Sequence, residues 1–152
     1  MSKPKVAIVQ TEALKGNPEF LNGKFVRYDE DIDRLREKIA EAVSLAVGSI
    51  DNIIKEGETV LIKPNLAFQA PPESFSVVDP RVIEAVISYL KQHSKAKEVW
   101  IGDNPSLGQH VGRARPAFEM SGMRAAAERG GADRVIYFDE ETPYELISYI
   151  KP

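Results

Sequence analysis

Short runs of β-forming residues alternate along this chain with amphipathic helical patterns, and no other feature constrains the fold as strongly. The predicted strands are residues 6–9, 59–62, 98–102 and 135–138. Between them, residues 31–47 and 80–93 carry apolar side chains at every third or fourth position, which is the pattern of a helix with one buried face. Strands that are apolar throughout and separated by helices predict a parallel sheet with right-handed crossovers.

These patterns predict an α/β fold, a three-layer α/β/α sandwich with a mostly parallel sheet of at least four strands, Rossmann-like in arrangement. Asp79 is expected to cap the second helix and Pro80 to begin it. A third helix is predicted over residues 116–129, weakened at Gly122. The final apolar run, YELISYI, favours an edge strand over a short helix. We expect residues 1–152 to form a single α/β domain, the first half of a longer architecture.

Composition excludes several classes of function. The net charge is -3 and the isoelectric point is near 5.5, so nucleic acid and membrane surfaces are not expected partners. The chain contains no cysteine, which removes thiolate nucleophiles and cysteine-bound metal clusters from these residues. No apolar run approaches the roughly 20 residues of a membrane span. A cytoplasmic location is the simplest expectation.

The segment after the second predicted strand, LIKPNLAFQAPPESFSVVDP, is the first candidate for a functional site. In an open parallel sheet, ligands gather at the carboxyl ends of the strands, where Lys63 and Asn65 are expected. The connection over residues 64–78 is longer than the usual two to six residues, and four prolines in and beside it lower the entropic cost of ordering it. We interpret it as a stiff rim of a binding site. The alternative is a surface insertion in which Lys63 is merely solvated.

A second candidate cluster follows the third predicted strand, in the glycine-rich segment GDNPSLGQHVGRARP. Its polar residues are Asp103, Asn104, Ser106 and His110. They are predicted to lie at the same sheet edge as Lys63, although Asp103 and Asn104 could equally make turn hydrogen bonds. Neither a dinucleotide fingerprint nor a P-loop is present, and no histidine or acidic cluster predicts a metal site.

Four segments carry a resemblance to a known family: VLIKPNL, VVDPRVIEAVISYLK, AKEVWIGDNPS and F-x-x-S-G-M. Together they resemble the amino-terminal half of the proteins called domain of unknown function 362. The most specific element is Lys63-Pro64-Asn65 joined to Asp79-Pro80. The resemblance implies an α/β fold and a redox setting, because many members carry ferredoxin-type iron–sulfur clusters. This chain lacks the cluster cysteines and the second-half motifs, so a cluster is expected on a missing second half or a partner chain, and no cofactor in this chain.

Three functions remain as hypotheses. The first is a redox-associated enzyme or electron-transfer domain in which Lys63 and Asp103 are catalytic and a small anionic or carbonyl-bearing substrate is bound. Its substrate-binding residues would be Asn65, Asp79, Asn104, Ser106 and His110. The second is a non-catalytic module that binds phosphate or carboxylate. The third is a structural half-domain that assembles with another subunit or copy of itself. Expected partners are a small anion, a ferredoxin-like domain or chain, and a homo-oligomeric copy.

Overall fold

The computed structural model describes residues 5–12, 14, 29–67, 69–74, 76–104 and 114–140. Its helices are α1 (Asp29–Val47), α2 (Pro80–His93), α3 (Ala114–Met120) and α4 (Met123–Gly130). Its strands are β1 (Thr59–Ile62), β2 (Glu98–Asp103) and β3 (Arg134–Tyr137). Short 3₁₀ helices lie at Ile50–Asn52 and Pro72–Ser74.

The three strands form one parallel sheet in the order β1-β2-β3. Val60 lies opposite Val99, and Ile101 lies opposite Val135. The predicted α/β class and parallel sheet are therefore confirmed, and β3 begins one residue earlier than the predicted strand.

The predicted first strand at residues 6–9 is wrong, because the described residues 5–12 adopt no regular element. Val6 and Ile8 are 85% and 90% exposed. An apolar run becomes a strand only when its backbone groups join a ladder, and this run pairs with none of the described strands. The sheet thus has three strands in the described residues, and the predicted edge strand YELISYI lies outside them.

The helices that connect the strands share one face of the sheet. Right-handed crossovers between strands in sequential order place α2 and the α3–α4 pair on the same side, and α2 packs against both α1 and α4. Val99 and Ile101 point into the core formed there, together with Phe118 and Met123. The opposite face carries Leu61, which is 46% exposed. Two of the three expected layers are therefore present in the described residues.

The start of α2 is fixed by a buried ionic cluster that sequence reasoning did not predict. Asp79 is the N-cap, as expected, and its carboxylate accepts the backbone N–H of Arg81 at 2.9 Å. The guanidinium of Arg81 then lies between two carboxylates, 2.6 Å from Asp79 and 3.3 Å from Asp31. Asp31 is fully buried and Arg81 is 3% exposed. This Arg81 cluster (Asp31, Asp79 and Arg81) ties the beginning of α1 to the beginning of α2.

Gly122 divides the predicted third helix in two. Its φ of 74° lies in the left-handed region, which stops α3 and lets α4 begin in a new direction. The redirected α4 passes very close to α2 at Gly130. A Cβ atom added to Gly130 would lie 2.9 Å from Cβ of Ile87 and 3.0 Å from the carbonyl oxygen of Glu84. The absence of a side chain at Gly130 therefore sets the α2–α4 distance.

Asp133 is expected to give the fold a component of stability that is lost in acid. Its carboxylate accepts hydrogen bonds from Lys91, at 2.8 Å, and from the backbone N–H of Val99, at 2.7 Å. These two hydrogen bonds, with that from Lys91 the larger cause, lower the pKa of Asp133. Because the folded-state pKa lies below the unfolded value of about 3.9, the contribution is present above pH 4 and disappears as pH falls through the folded pKa.

Urea denaturation of wild type and Asp133→Asn at pH 7, 5 and 3 tests this prediction. We expect wild type to be more stable at pH 7 and 5, with the difference shrinking at pH 3. Lys91→Met should reduce the pH dependence, since it removes the main cause of the shift. A difference between wild type and Asp133→Asn that stays constant over this range would contradict the prediction.

Candidate functional site

Two oppositely charged side chains meet where β1 and β2 end. Lys63 directly follows β1 and Asp103 is the last residue of β2, so the parallel register brings both to one edge of the sheet. Nζ of Lys63 lies 3.0 Å from Oδ1 of Asp103. The Lys63 side chain is 66% exposed, whereas that of Asp103 is 4% exposed. The arrangement is a buried carboxylate covered by an accessible ammonium group.

The two carboxylate oxygens of Asp103 differ in the hydrogen bonds that they accept from the described residues. Oδ1 accepts the Lys63 ammonium and also the backbone N–H of Asn104, at 2.7 Å. Within the described part of the chain, no group donates a hydrogen bond to Oδ2. An ionised carboxylate offers about four lone-pair sites, so Asp103 retains acceptor capacity. Lys63 supplies the positive charge that balances this buried carboxylate.

The two ends of the long connection after β1 are joined by backbone hydrogen bonds. The carbonyl oxygen of Asn65 accepts the backbone N–H of Val78 at 3.0 Å, and Leu66 forms an antiparallel bridge with Val77. Leu66, Ala70 and Val77 are at most 6% exposed and belong to the main hydrophobic core. The described residues of the loop over 65–78 are therefore anchored in the core at these three positions. The Asn65 side-chain amide donates to the carbonyl of Ser76 at 3.5 Å, inside the same loop.

The other predicted site residues lie in different settings. Asp79 is occupied as the cap of α2 and as a partner of Arg81, with 29% of its side chain exposed. Asn104 is exposed and lies beside Asp103, to which its backbone is bonded. Ser106 and His110 fall outside the described residues. The structure thus brings together Lys63, Asp103 and Asn104.

Asp139 is a residue at this edge that sequence reasoning missed. It lies two positions after β3, and its Oδ2 accepts the backbone N–H of Ala114, the first residue of α3, at 3.1 Å. The neighbouring Glu140 binds Arg115 through two hydrogen bonds of 2.6 and 3.1 Å. The turn after β3 therefore holds the start of α3. The signal was available, because Asp139 directly follows the last predicted strand as Asp103 follows the third.

The residues present do not fit an iron–sulfur cluster. Such clusters are held by cysteine thiolates, and the chain has no cysteine. Among the described residues, no group of three or more histidine, aspartate or glutamate side chains is arranged to hold a metal ion. The same residues contain no helix with the length and apolar character needed to cross a membrane.

Comparison with known proteins finds a match at the level of a protein family. No curated protein and no solved structure matches the chain. A family model described as "Domain of unknown function (DUF362)" matches residues 60–149, which is more than half of the sequence. The matched region begins within β1 and includes Lys63, Asp103 and Asp139. On this evidence the chain belongs to the family described as domain of unknown function 362.

Proposed function

We propose that this chain binds a small anionic molecule at the carboxyl ends of β1 and β2, with Lys63 as the cation that recognises it. The observation that supports the proposal most directly is the Lys63–Asp103 pair, with its 3.0 Å contact and its unequal exposure. Asp103 holds the ammonium group of Lys63 in place, and the Lys63 side chain remains exposed to solvent. A positive charge in that position is suited to bind an anion from solution.

The chemistry of the two side chains supports this role. A lysine ammonium has three N–H donors, and only one is needed for Asp103. The Lys63 side chain is 66% exposed, so an oxyanion from solution can reach the ammonium group and its other N–H donors. Asp103 orients the ammonium group and is available to exchange a hydrogen bond or a proton with the bound molecule. The packed loop of residues 65–78 supplies a rigid rim, so little entropy is lost in ordering the site.

The redox association implied by the family resemblance is part of the same proposal. Because this chain cannot supply thiolate ligands, an iron–sulfur cluster would reside on a second half or on a partner chain. The lysine–aspartate pair would then form one wall of a site completed elsewhere. A cytoplasmic location is likewise proposed.

Titration with phosphate and acetate, followed by amide chemical shifts, tests the anion site. We expect Lys63→Met to weaken binding about tenfold or more, since a hydrogen bond to a charged group contributes about 1.5–3 kcal/mol. Lys91→Met is the matched control, because Lys91 also pairs with an aspartate and has a half-exposed side chain but lies near the amino end of β2. The control should bind as wild type does. Identical responses of wild type and Lys63→Met would rule the site out.

A further inference from the structure

A cleft of about 450 Å³ is lined by β3, by the helices α3 and α4 and by the turn that follows β3. This volume is within the range of sites that bind small molecules. The charged residues of the cleft are three arginines and two glutamates: Arg115, Arg124, Arg134, Glu128 and Glu140. The cleft thus carries an excess of positive charge, although the net charge of the chain is -3. Neither Lys63 nor Asp103 lines it.

A buried tyrosine holds two of these arginines in place. The guanidinium of Arg115 lies over the ring of Tyr137, 4.3 Å from the ring centroid, and Nη1 of Arg124 donates to the Tyr137 hydroxyl at 3.4 Å. Tyr137 is 7% exposed, and its ring packs edge-on against Phe118 in the core. The two cations come from different helices, α3 and α4, but they share one rigid support.

The glutamates of the cleft are partners that a more highly charged anion can replace. Glu140 accepts two hydrogen bonds from Arg115, and Glu128 accepts one from Nε of Arg124. The side chains of Arg115 and Arg124 are 49% and 40% exposed, and ion pairs at the surface contribute little to stability. A guanidinium group has five N–H donors in a planar fork that matches phosphate. Because a phosphate group carries a charge of about -1.5 to -2 near neutral pH, it attracts these arginines more strongly than one carboxylate does.

We infer that this cleft is a second binding site, for a small molecule that carries a phosphate group. Arg115 and Arg124 donate to the phosphate oxygens, and Arg134 adds positive charge at the start of β3. A ligand with a single carboxylate is disfavoured, because it would compete with Glu128 and Glu140 at equal charge. The inference goes beyond the proposed function and is independent of it, since the two sites share no residue.

Titration of the full chain with inorganic phosphate, and with acetate for comparison, tests the inference through amide chemical shifts. In wild type we expect saturable phosphate shifts within residues 115–140, with acetate binding there about tenfold more weakly. Arg124→Met should weaken phosphate binding in the cleft about tenfold, because it removes a hydrogen bond to a charged group. Glu128→Gln should tighten binding by up to about fivefold, the factor that corresponds to one exposed ion pair. Arg36→Met is the control and should bind as wild type does, since Arg36 pairs with Asp33 on α1, outside the cleft.

Several results would overturn the inference. Acetate binding in the cleft as tightly as phosphate would show that the site does not select phosphate. Unchanged affinity in Arg124→Met would show that this arginine does not contact the ligand. Unchanged or weaker binding in Glu128→Gln would show that the glutamate does not compete with the ligand. The wild-type comparison of phosphate with acetate needs no variant, so it holds even where a variant does not fold.

The amide of Asn104 separates this inference from the proposed function, because Asn104 lies beside the Lys63–Asp103 pair. Lys63→Met should lose the response of Asn104 to phosphate, while the cleft keeps its wild-type affinity. Loss of both responses in Lys63→Met would overturn the inference, because the cleft would then not be a separate site. Phosphate shifts confined to the ends of β1 and β2 in wild type would also overturn it and leave the proposed function standing. Shifts confined to residues 115–140 would overturn the proposed function alone.

Discussion

Replacing Arg81 with methionine is expected to lower the free energy of unfolding by about 3–5 kcal/mol, the largest effect of any substitution discussed for this chain. The side chain of Arg81 is 4% exposed, and its guanidinium group lies between the carboxylates of Asp31 and Asp79. Methionine fills a similar volume but carries no charge. The change therefore removes the guanidinium group that lies 3.3 Å from the carboxylate of Asp31, which is 1% exposed.

Urea denaturation at neutral pH measures the effect, and Arg124→Met is the matched control. Arg124 also contacts two carboxylates, those of Glu119 and Glu128, but its side chain is 40% exposed. Pairs at the surface contribute about 0–1 kcal/mol, so the control should lose no more than that. Combining Asp31→Leu with Arg81→Met should recover part of the lost stability, because the buried charge is then gone. A loss below about 1 kcal/mol in Arg81→Met alone would show that the cluster does not hold α1 to α2.

Gly130→Ala is expected to destabilise the protein by about 1–3 kcal/mol, the cost of overpacking a tight contact. In most helices the same replacement is favourable by up to about 1 kcal/mol, because alanine has the higher helix propensity. Here the added Cβ would lie 2.9 Å from Cβ of Ile87 and 3.0 Å from the carbonyl oxygen of Glu84. Both of those atoms are part of α2 or fixed to it, so α4 itself must move away.

Thermal unfolding compares Gly130→Ala with Glu128→Ala, a substitution in the same helix at a side chain that is 62% exposed. The control should change stability by no more than about 0.5 kcal/mol. Gly130→Ala should also disturb the ion pair between Arg129 and Glu84, which spans the same two helices at 2.8 Å. A gain in stability for Gly130→Ala would mean that the helices are not in close contact at this point.

Local patterns in the sequence were sufficient to predict the elements that lead to the candidate site. The boundaries of β1 and α2 follow from an apolar run and from an Asp-Pro cap, both of which are determined by near neighbours. The proximity of Lys63 and Asp103 followed from one rule about parallel sheets, that the strands end at a common edge. Their 3.0 Å contact is consistent with that expectation.

The features that sequence reasoning missed depend on partners far away in the chain. Asp31 and Arg81 are 50 positions apart, and nothing in the helical pattern of α1 marks Asp31 as buried. Residues 6–9 have the composition of a strand, but pairing depends on a free ladder position that composition does not encode. The division of the third helix was only partly foreseen, since Gly122 signals a weak point and not a change of direction.

The closed base of the loop of residues 65–78 has a consequence for how this family can diversify. Its two ends are joined by the hydrogen bond from Val78 to Asn65 and by the Leu66–Val77 bridge. The separation between the end of β1 and the start of α2 is therefore set at the base, and the buried Ala70 anchors the loop between these ends in the core. Changes of sequence among the exposed residues of this loop are therefore expected to leave the spacing of Lys63 and Asp103 unchanged. Chimeras that exchange those exposed residues between family members would change the surface beside Lys63 while the ends of β1 and α2 stay in place.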